Sequence, residues 1–191
     1  MCFEDGTTMR LYRQTVEDFA LYPGRELDGE ELEKLRKAAG AMSAKMRAVR
    51  ILSASSVSKN DLQQRLIHKG EDPEQAKKAV AWLEDLSLLD DRKTAYQVVQ
   101  RCISKGYGVA RAKQALYEKR IPREYWEEAL ADYPAQTDAI VSFLRNRLGS
   151  DWDRKDLQKA VDALLRRGHS YPQIRRGLEQ LSVDVDELPE E

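Results

Sequence analysis

Three stretches of this chain can be laid on one another, and that self-similarity constrains the fold more than any other feature. They are LIHKGEDPEQAKKAV from Leu66 to Val80, LYEKRIPREYWEEAL from Leu116 to Leu130, and LLRRGHSYPQIRRGL from Leu164 to Leu178. Each opens on a leucine, passes through a turn, meets an early proline (Pro73, Pro122, Pro172) and sets an apolar anchor (Ala76, Trp126, Ile174). Each closes on an apolar residue fourteen positions after the first. Fifty residues separate the first two copies and forty-eight the second and third. A period of that length describes a supersecondary unit that cannot bury its own apolar face and gains a core by stacking. The expectation is an all-α chain of three tandem three-helix, helix-turn-helix-like repeats, elongated and curved.

The punctuation around the copies is helical. Asp28 stands three residues before Glu31, a capping-box spacing, and starts a short helix with Leu32, Leu35, Ala38 and Ala39 as its stripe. Gly40 is read as relaxing that helix. A second one follows, carrying Met46, Val49, Ile51 and Leu52 and ending in the serine cluster Ser53–Ser58. Ser58 then caps a helix with Leu62, Leu66 and Ile67 on one face, stopped at Lys69-Gly70. Asp72 followed by Pro73, with Gln75 at the third position, opens the next, with Ala76, Ala79, Val80, Leu83 and Leu86 as its stripe. Ser170, Tyr171, Pro172 and Gln173 repeat that start in the third copy. The resulting division is an N-terminal segment 1–41 with one short helix, repeats over 42–91, 92–134 and 135–183, and an acidic tail 184–191, read as frayed. Residues 1–24 carry too little pattern to assign. The third copy is longer at its front, where the run Leu148–Asp153 separates two helices, and Pro134 marks the link between the second and third.

Chemistry is scarce. Asp90 and Asp91 are adjacent and so point apart on a helix; capping of the helix that follows explains them better than an acid–base pair or a metal. His68 and His169 both fall in repeat turns, beside Gly70 and Gly168, and read as surface cations near helix C-termini. The turn Lys105-Gly106-Tyr107-Gly108 has the glycines of a phosphate loop but neither its Gly-Lys-Ser/Thr ending nor a preceding strand. Its glycines serve instead the left-handed backbone of an interhelical turn. Cys2 and Cys102 lie far apart without metal-ligand spacing, as in a reduced cytoplasmic protein, and Cys102 sits on a core stripe with Val98 and Val99. No apolar run approaches a membrane span, and there is no signal sequence. No enzyme activity, cofactor or metal is expected.

Charge is the informative part. The whole chain has a net charge of −1, which excludes a histone-like polycation. Yet from Arg92 to Arg120 eight cations (Arg92, Lys93, Arg101, Lys105, Arg111, Lys113, Lys119, Arg120) face one anion, Glu118, and Arg123 follows just beyond. The preceding stretch Glu71–Asp91 is acidic. A second excess in the third repeat comprises Arg154, Lys155, Lys159, Arg166, Arg167, Arg175 and Arg176. A charge run is ordinarily a solvated helix face. Segregation, recurrence and the preponderance of arginine, whose planar fork suits phosphate and carboxylate, point instead to a polyanionic partner. Tyr107, in the turn, is read as exposed and available for contact; Trp126, at a repeat anchor, as buried.

From Met42 to Leu181 these residues resemble the RecX family, bacterial regulators of the RecA recombinase. The specific part is Leu89-Asp90-Asp91 before a helix, then Arg101, Lys105-Gly106, Gly108 and Arg111 at the spacing R-x-x-x-K-G-x-G-x-x-R. The chain departs from the family pattern at Thr94, where an aromatic is usual, and at Arg120, where the second helix usually ends in glycine. The resemblance implies binding in the groove of the RecA–DNA filament, which modulates, and usually inhibits, ATP hydrolysis and strand exchange; the chain is read as a monomer that also touches single- or double-stranded DNA weakly through phosphate. Other readings are a sequence-indifferent DNA-binding module acting without recombinase, and a helical scaffold for an unrelated protein.

Overall fold

The computed structural model describes residues 1–4, 6–149 and 152–183; the acidic tail lies outside them. Every regular element of the described chain is a helix, with one isolated antiparallel bridge between Cys2 and Thr8 and no strand among the described residues. It divides into two compact units, 1–90 and 91–191.

The first unit holds α1 (Arg13–Asp18), α2 (Gly29–Ala54), α3 (Lys59–His68) and α4 (Pro73–Asp85). Asp28 caps α2, its carboxylate accepting the Glu31 amide at 2.7 Å while Glu31 reaches back. Here the sequence reading is corrected: α2 runs unbroken through Gly40, so the short N-terminal helix and the first helix of the repeat are one. Termination needs a left-handed residue and carbonyls to close on, whereas Gly40 sits among Ala38, Ala39, Ala41 and Ala44, strong helix formers that outweigh one glycine, which costs about 1 kcal/mol. Leu35, Ala39, Ala44 and Ala48 form its buried face. Ala44 and Ala48 of that face pack with Leu62, Leu66, Ala76, Ala79, Leu83 and Leu89 in the core that α2 shares with α3 and α4. Ser58 accepts the Asp61 amide, and Asp72 accepts those of Glu74 and Gln75, both at 3.0 Å, as their spacing predicts.

The second unit carries two further sets. One is α5 (Asp91–Ser104), α6 (Val109–Glu118) and a 3₁₀ turn Arg123–Tyr125 running into the short α7 (Trp126–Leu130). The other is α8 (Thr137–Leu148), α9 (Arg154–Arg166) and α10 (Tyr171–Glu179). Ala95, Val98, Val99, Leu116, Ile121 and Ala129 fill the core of the first set; Ile140, Leu144, Leu157, Val161, Leu164, Ile174 and Leu178 that of the second. Gly177 lets α10 lie close on α8, since a Cβ there would stand 2.5 Å from the Ile140 Cγ2.

The repeat is clearest in its turns. After α3, α6 and α9 the chain closes in the same way. The amides of Glu71, Ile121 and His169 donate back to the carbonyls of Leu66, Leu116 and Leu164 at 3.1, 3.1 and 3.2 Å. This is the pattern in which a left-handed residue ends a helix and the next amide satisfies an orphan carbonyl five residues back. The three leucines are among the most buried side chains, and Glu71, Ile121 and His169 are buried with them. The left-handed position is Gly70 in the first copy and Gly168 in the third, but Arg120 in the second, at a φ of 53°.

Candidate polyanion interface

The two sets of the second unit meet along a seam of main-chain atoms. The Gly108 amide donates to the Arg167 carbonyl at 3.0 Å and the Ala110 amide to the Gly168 carbonyl at 3.3 Å. Gly108 caps α6 with no side-chain bond, so the closing carbonyls of α9 take the place of a capping side chain. Such closeness requires glycine on both sides: a Cβ on Gly108 would overlap the Gly168 carbonyl, and one on Gly168 the Arg111 backbone. Gly106, with a positive φ, would place its Cβ 2.8 Å from that of Ala139. Tyr133 donates its hydroxyl to the Tyr107 carbonyl at 2.7 Å, and the Gln136 side-chain Nε2 donates to the Ile103 carbonyl at 3.3 Å. Burial pushes the Tyr133 hydroxyl up to about 12.

His169 is thus not the surface cation its sequence position suggested. It lies at the seam, 3% exposed, with Nε2 3.0 Å from the Gly106 carbonyl oxygen. Burial holds the imidazole below its ordinary range; the bond to Gly106 opposes this and the Arg167 charge reinforces it. His68 is exposed. Cys102 is buried, as its stripe implied; burial raises its thiol while Arg111 and Lys105 pull the other way. Asp91 lies buried in the first turn of α5 and Asp90 is exposed just before it. Trp126 is half-buried and donates its indole N–H to the Ile121 carbonyl at 3.0 Å. Tyr107 is half-buried also, held by its carbonyl rather than free in the turn.

The cations fall into two groups. Arg92 pairs with Glu128 across to α7, Arg111 with Glu118 at 2.9 Å, Lys159 with Asp156 at 3.0 Å and Arg175 with Glu179 at 3.6 Å. Arg167 lies over the Phe143 ring at 4.4 Å and Arg123 over Trp126 at 5.7 Å. Lys93, Lys119 and Arg120 also make contacts of their own. By contrast Arg101, Lys105, Lys113, Arg154, Lys155, Arg166 and Arg176 are exposed and have no carboxylate partner among the described residues. Arg145 and Arg147, in the last turn of α8, join this second group. The sequence reading passed over them because they sit outside both runs of charge; their place in a last helical turn was the available signal. An ion-paired arginine must first give up its carboxylate to bind phosphate, so the unpaired cations are the ready ones.

Among the described residues no group of three or more His, Cys, Asp or Glu could hold a metal, and no helix is long and apolar enough to cross a membrane.

Residues 90–130 match the family described as RecX, second three-helix domain. The regulatory protein RecX of Vibrio parahaemolyticus is 27% identical over 146 residues, 75% of this chain and 94% of that protein. That of Clostridioides difficile is 26% identical over 190 residues, 96% of this chain and 89% of that protein. That of Xanthomonas campestris pv. campestris is 31% identical over 132 residues, covering 68% and 82%. A crystal structure of regulatory protein RecX has the same fold, with a TM-score of 0.68 at 21% identity over 93% of this chain and 92% of that one.

Proposed function

This chain belongs to the RecX family of regulatory proteins, and on that premise we propose that it regulates RecA by binding the recombinase–DNA filament. It does no chemistry of its own; it lies against the filament, resists the subunit motions that accompany ATP turnover, and lowers both ATP hydrolysis and strand exchange. The observation carrying this reading is the set of exposed cations in the second unit that have no carboxylate partner among the described residues, Lys113 and Arg166 foremost. Exposed cations that the described residues leave without a carboxylate suit DNA phosphate and the carboxylates of a protein surface alike. Seam glycines and buried leucines hold the helices that carry them.

Recombinase ATPase on single-stranded DNA, measured with and without this protein, tests the proposal. ATP turnover should fall on addition, and Lys113→Glu with Arg166→Glu should restore it while leaving the helical circular dichroism and melting unchanged. The protein alone should hydrolyse neither ATP nor DNA. An ATPase rate that does not respond to the wild-type protein overturns the reading. If the protein instead binds single-stranded DNA equally well with and without recombinase, it is a DNA-binding module.

A further inference from the structure

The seam between the two sets of the second unit has a titratable group at its centre. His169 keeps Nε2 on the Gly106 carbonyl, while its Nδ1 is buried with no hydrogen-bond partner among the described residues. A carbonyl can only accept, so Nε2 bears the hydrogen and Nδ1 is bare: the ring is neutral. The same turn position holds Glu71 in the first copy and Ile121 in the second, so the fold does not need an imidazole there. What differs in the third copy is that the turn docks on the α5–α6 turn through the amides of Gly108 and Ala110.

The surroundings disfavour a second charge. On its own turn stand Arg166, exposed, and Arg167, whose charge acts against the protonated ring. The α5–α6 turn carries Lys105, exposed, and α6 carries Arg111, whose backbone packs on Gly168; both charges act on the Cys102 thiol of α5. Glu118, at the far end of α6, is engaged by Arg111 and Gln114. Tyr133 spends its hydroxyl on Tyr107, Tyr171 of α10 is half-buried, and Asp138 of α8 is exposed beside Ala139. No carboxylate bonds to the ring among the described residues.

We infer that His169 is a positioning residue, a proton-sensitive latch that keeps the second and third helical sets in register when neutral and releases them when protonated. A proton on Nδ1 would leave a buried N–H without an acceptor beside Arg167, and both costs vanish if the turn lifts off Gly106. The burial that depresses the folded-state imidazole sets the direction. Above about pH 6.5, the ordinary value, both closed and open forms are neutral and the seam is at full strength. As pH falls below that value towards the lower one of the closed form, the open form takes up the proton first and the seam weakens. Its effect on binding rests on the function proposed above, because opening would separate cations of α6 from those of α9.

Amide exchange resolved by NMR reads the latch directly. After correction for intrinsic rates, protection of the Gly108 and Ala110 amides should fall several-fold from pH 7.5 to pH 5.5. The ceiling is about tenfold, since pH 5.5 lies one unit below the free imidazole. Ile121, in the equivalent turn without a histidine, should hold steady. His169→Gln keeps an N–H for Gly106 and cannot titrate, so its protection should be flat over the same range. Equal wild-type protection at both pH values, or the same fall in His169→Gln, overturns the latch. Should that variant fail to fold, the wild-type imidazole resonances decide: their titration must share a midpoint with the exchange change, and a different midpoint overturns the latch. A single-stranded oligonucleotide, titrated without recombinase, separates the two ideas. If exchange behaves as expected but oligonucleotide affinity does not change more in wild type than in His169→Gln, the latch stands and a binding surface spanning the seam is refuted.

Discussion

Arg120 sits where two homologous turns carry glycine. An L-residue held at positive φ costs about 1–2 kcal/mol, against which glycine gives back about 0.5–1 kcal/mol through the freedom of its unfolded chain. Arg120→Gly should therefore stabilise the protein by about 0.5–1 kcal/mol, read as a rise in melting temperature; a fall would mean that the contacts of the arginine side chain outweigh the backbone strain. The converse experiment separates conformation from crowding. Gly70 and Gly168 both have positive φ, but a Cβ on Gly70 meets nothing within 4 Å while one on Gly168 strikes Arg111. Gly70→Ala should cost about 1 kcal/mol by chemical denaturation. Gly168→Ala should add a further 1–3 kcal/mol of overpacking. Equal losses at the two sites would mean that the seam is looser than its glycines imply.

Among the elements, α2 is tied to the α3–α4 turn by a carboxylate rather than by grease. Glu71, its side chain 7% exposed, pairs with Arg47 at 2.6 Å and accepts the Ser43 hydroxyl at 2.9 Å, while Arg47 also donates to the Lys69 carbonyl at 3.0 Å. Arg47 is about a third exposed, which screens the pair, so Glu71→Ile should cost about 2 kcal/mol, below the range for a fully buried pair broken on one side. Adding Arg47→Met should recover most of it, as the second copy manages with Ile121; strict additivity in the double-mutant cycle would argue that the two side chains act independently. This level was largely legible beforehand. Asp28, Ser58 and Asp72 cap where their spacing said, because a cap depends only on residues three apart. Gly40 misled because one glycine is a weak signal beside a run of alanines. His169 was misplaced because its burial comes from the α5–α6 turn more than sixty residues earlier, a distance that no local pattern spans. Trp126 was taken as buried from its anchor position, yet the 3₁₀ turn before α7 leaves it at the edge with its N–H on Ile121.

At the scale of the molecule, a net charge of −1 conceals an uneven distribution: from 91 to 183 the chain holds eighteen Lys and Arg against twelve Asp and Glu. If these cations meet phosphate, binding to single-stranded DNA must weaken with salt, the logarithm of affinity falling, for each tenfold rise in salt, by about 0.7 per phosphate neutralised. Lys113→Glu should shallow that slope by about one neutralised phosphate, whereas charge reversal at Glu30 and Glu33, on the first turns of α2, should leave it unchanged. A slope indifferent to Lys113 would mean that its charge is merely solvated. The amides at the start of α6, where a helix would ordinarily receive a phosphate, are already occupied by the carbonyls of Arg167 and Gly168. In a saturation mutagenesis map, Gly108 and Gly168 should therefore lose abundance even with alanine, while Lys113 and Arg166 a few residues away should accept nearly anything and lose only their ligand. Selecting such a library first for abundance and then for binding would draw the line between scaffold and recognition directly, one residue at a time.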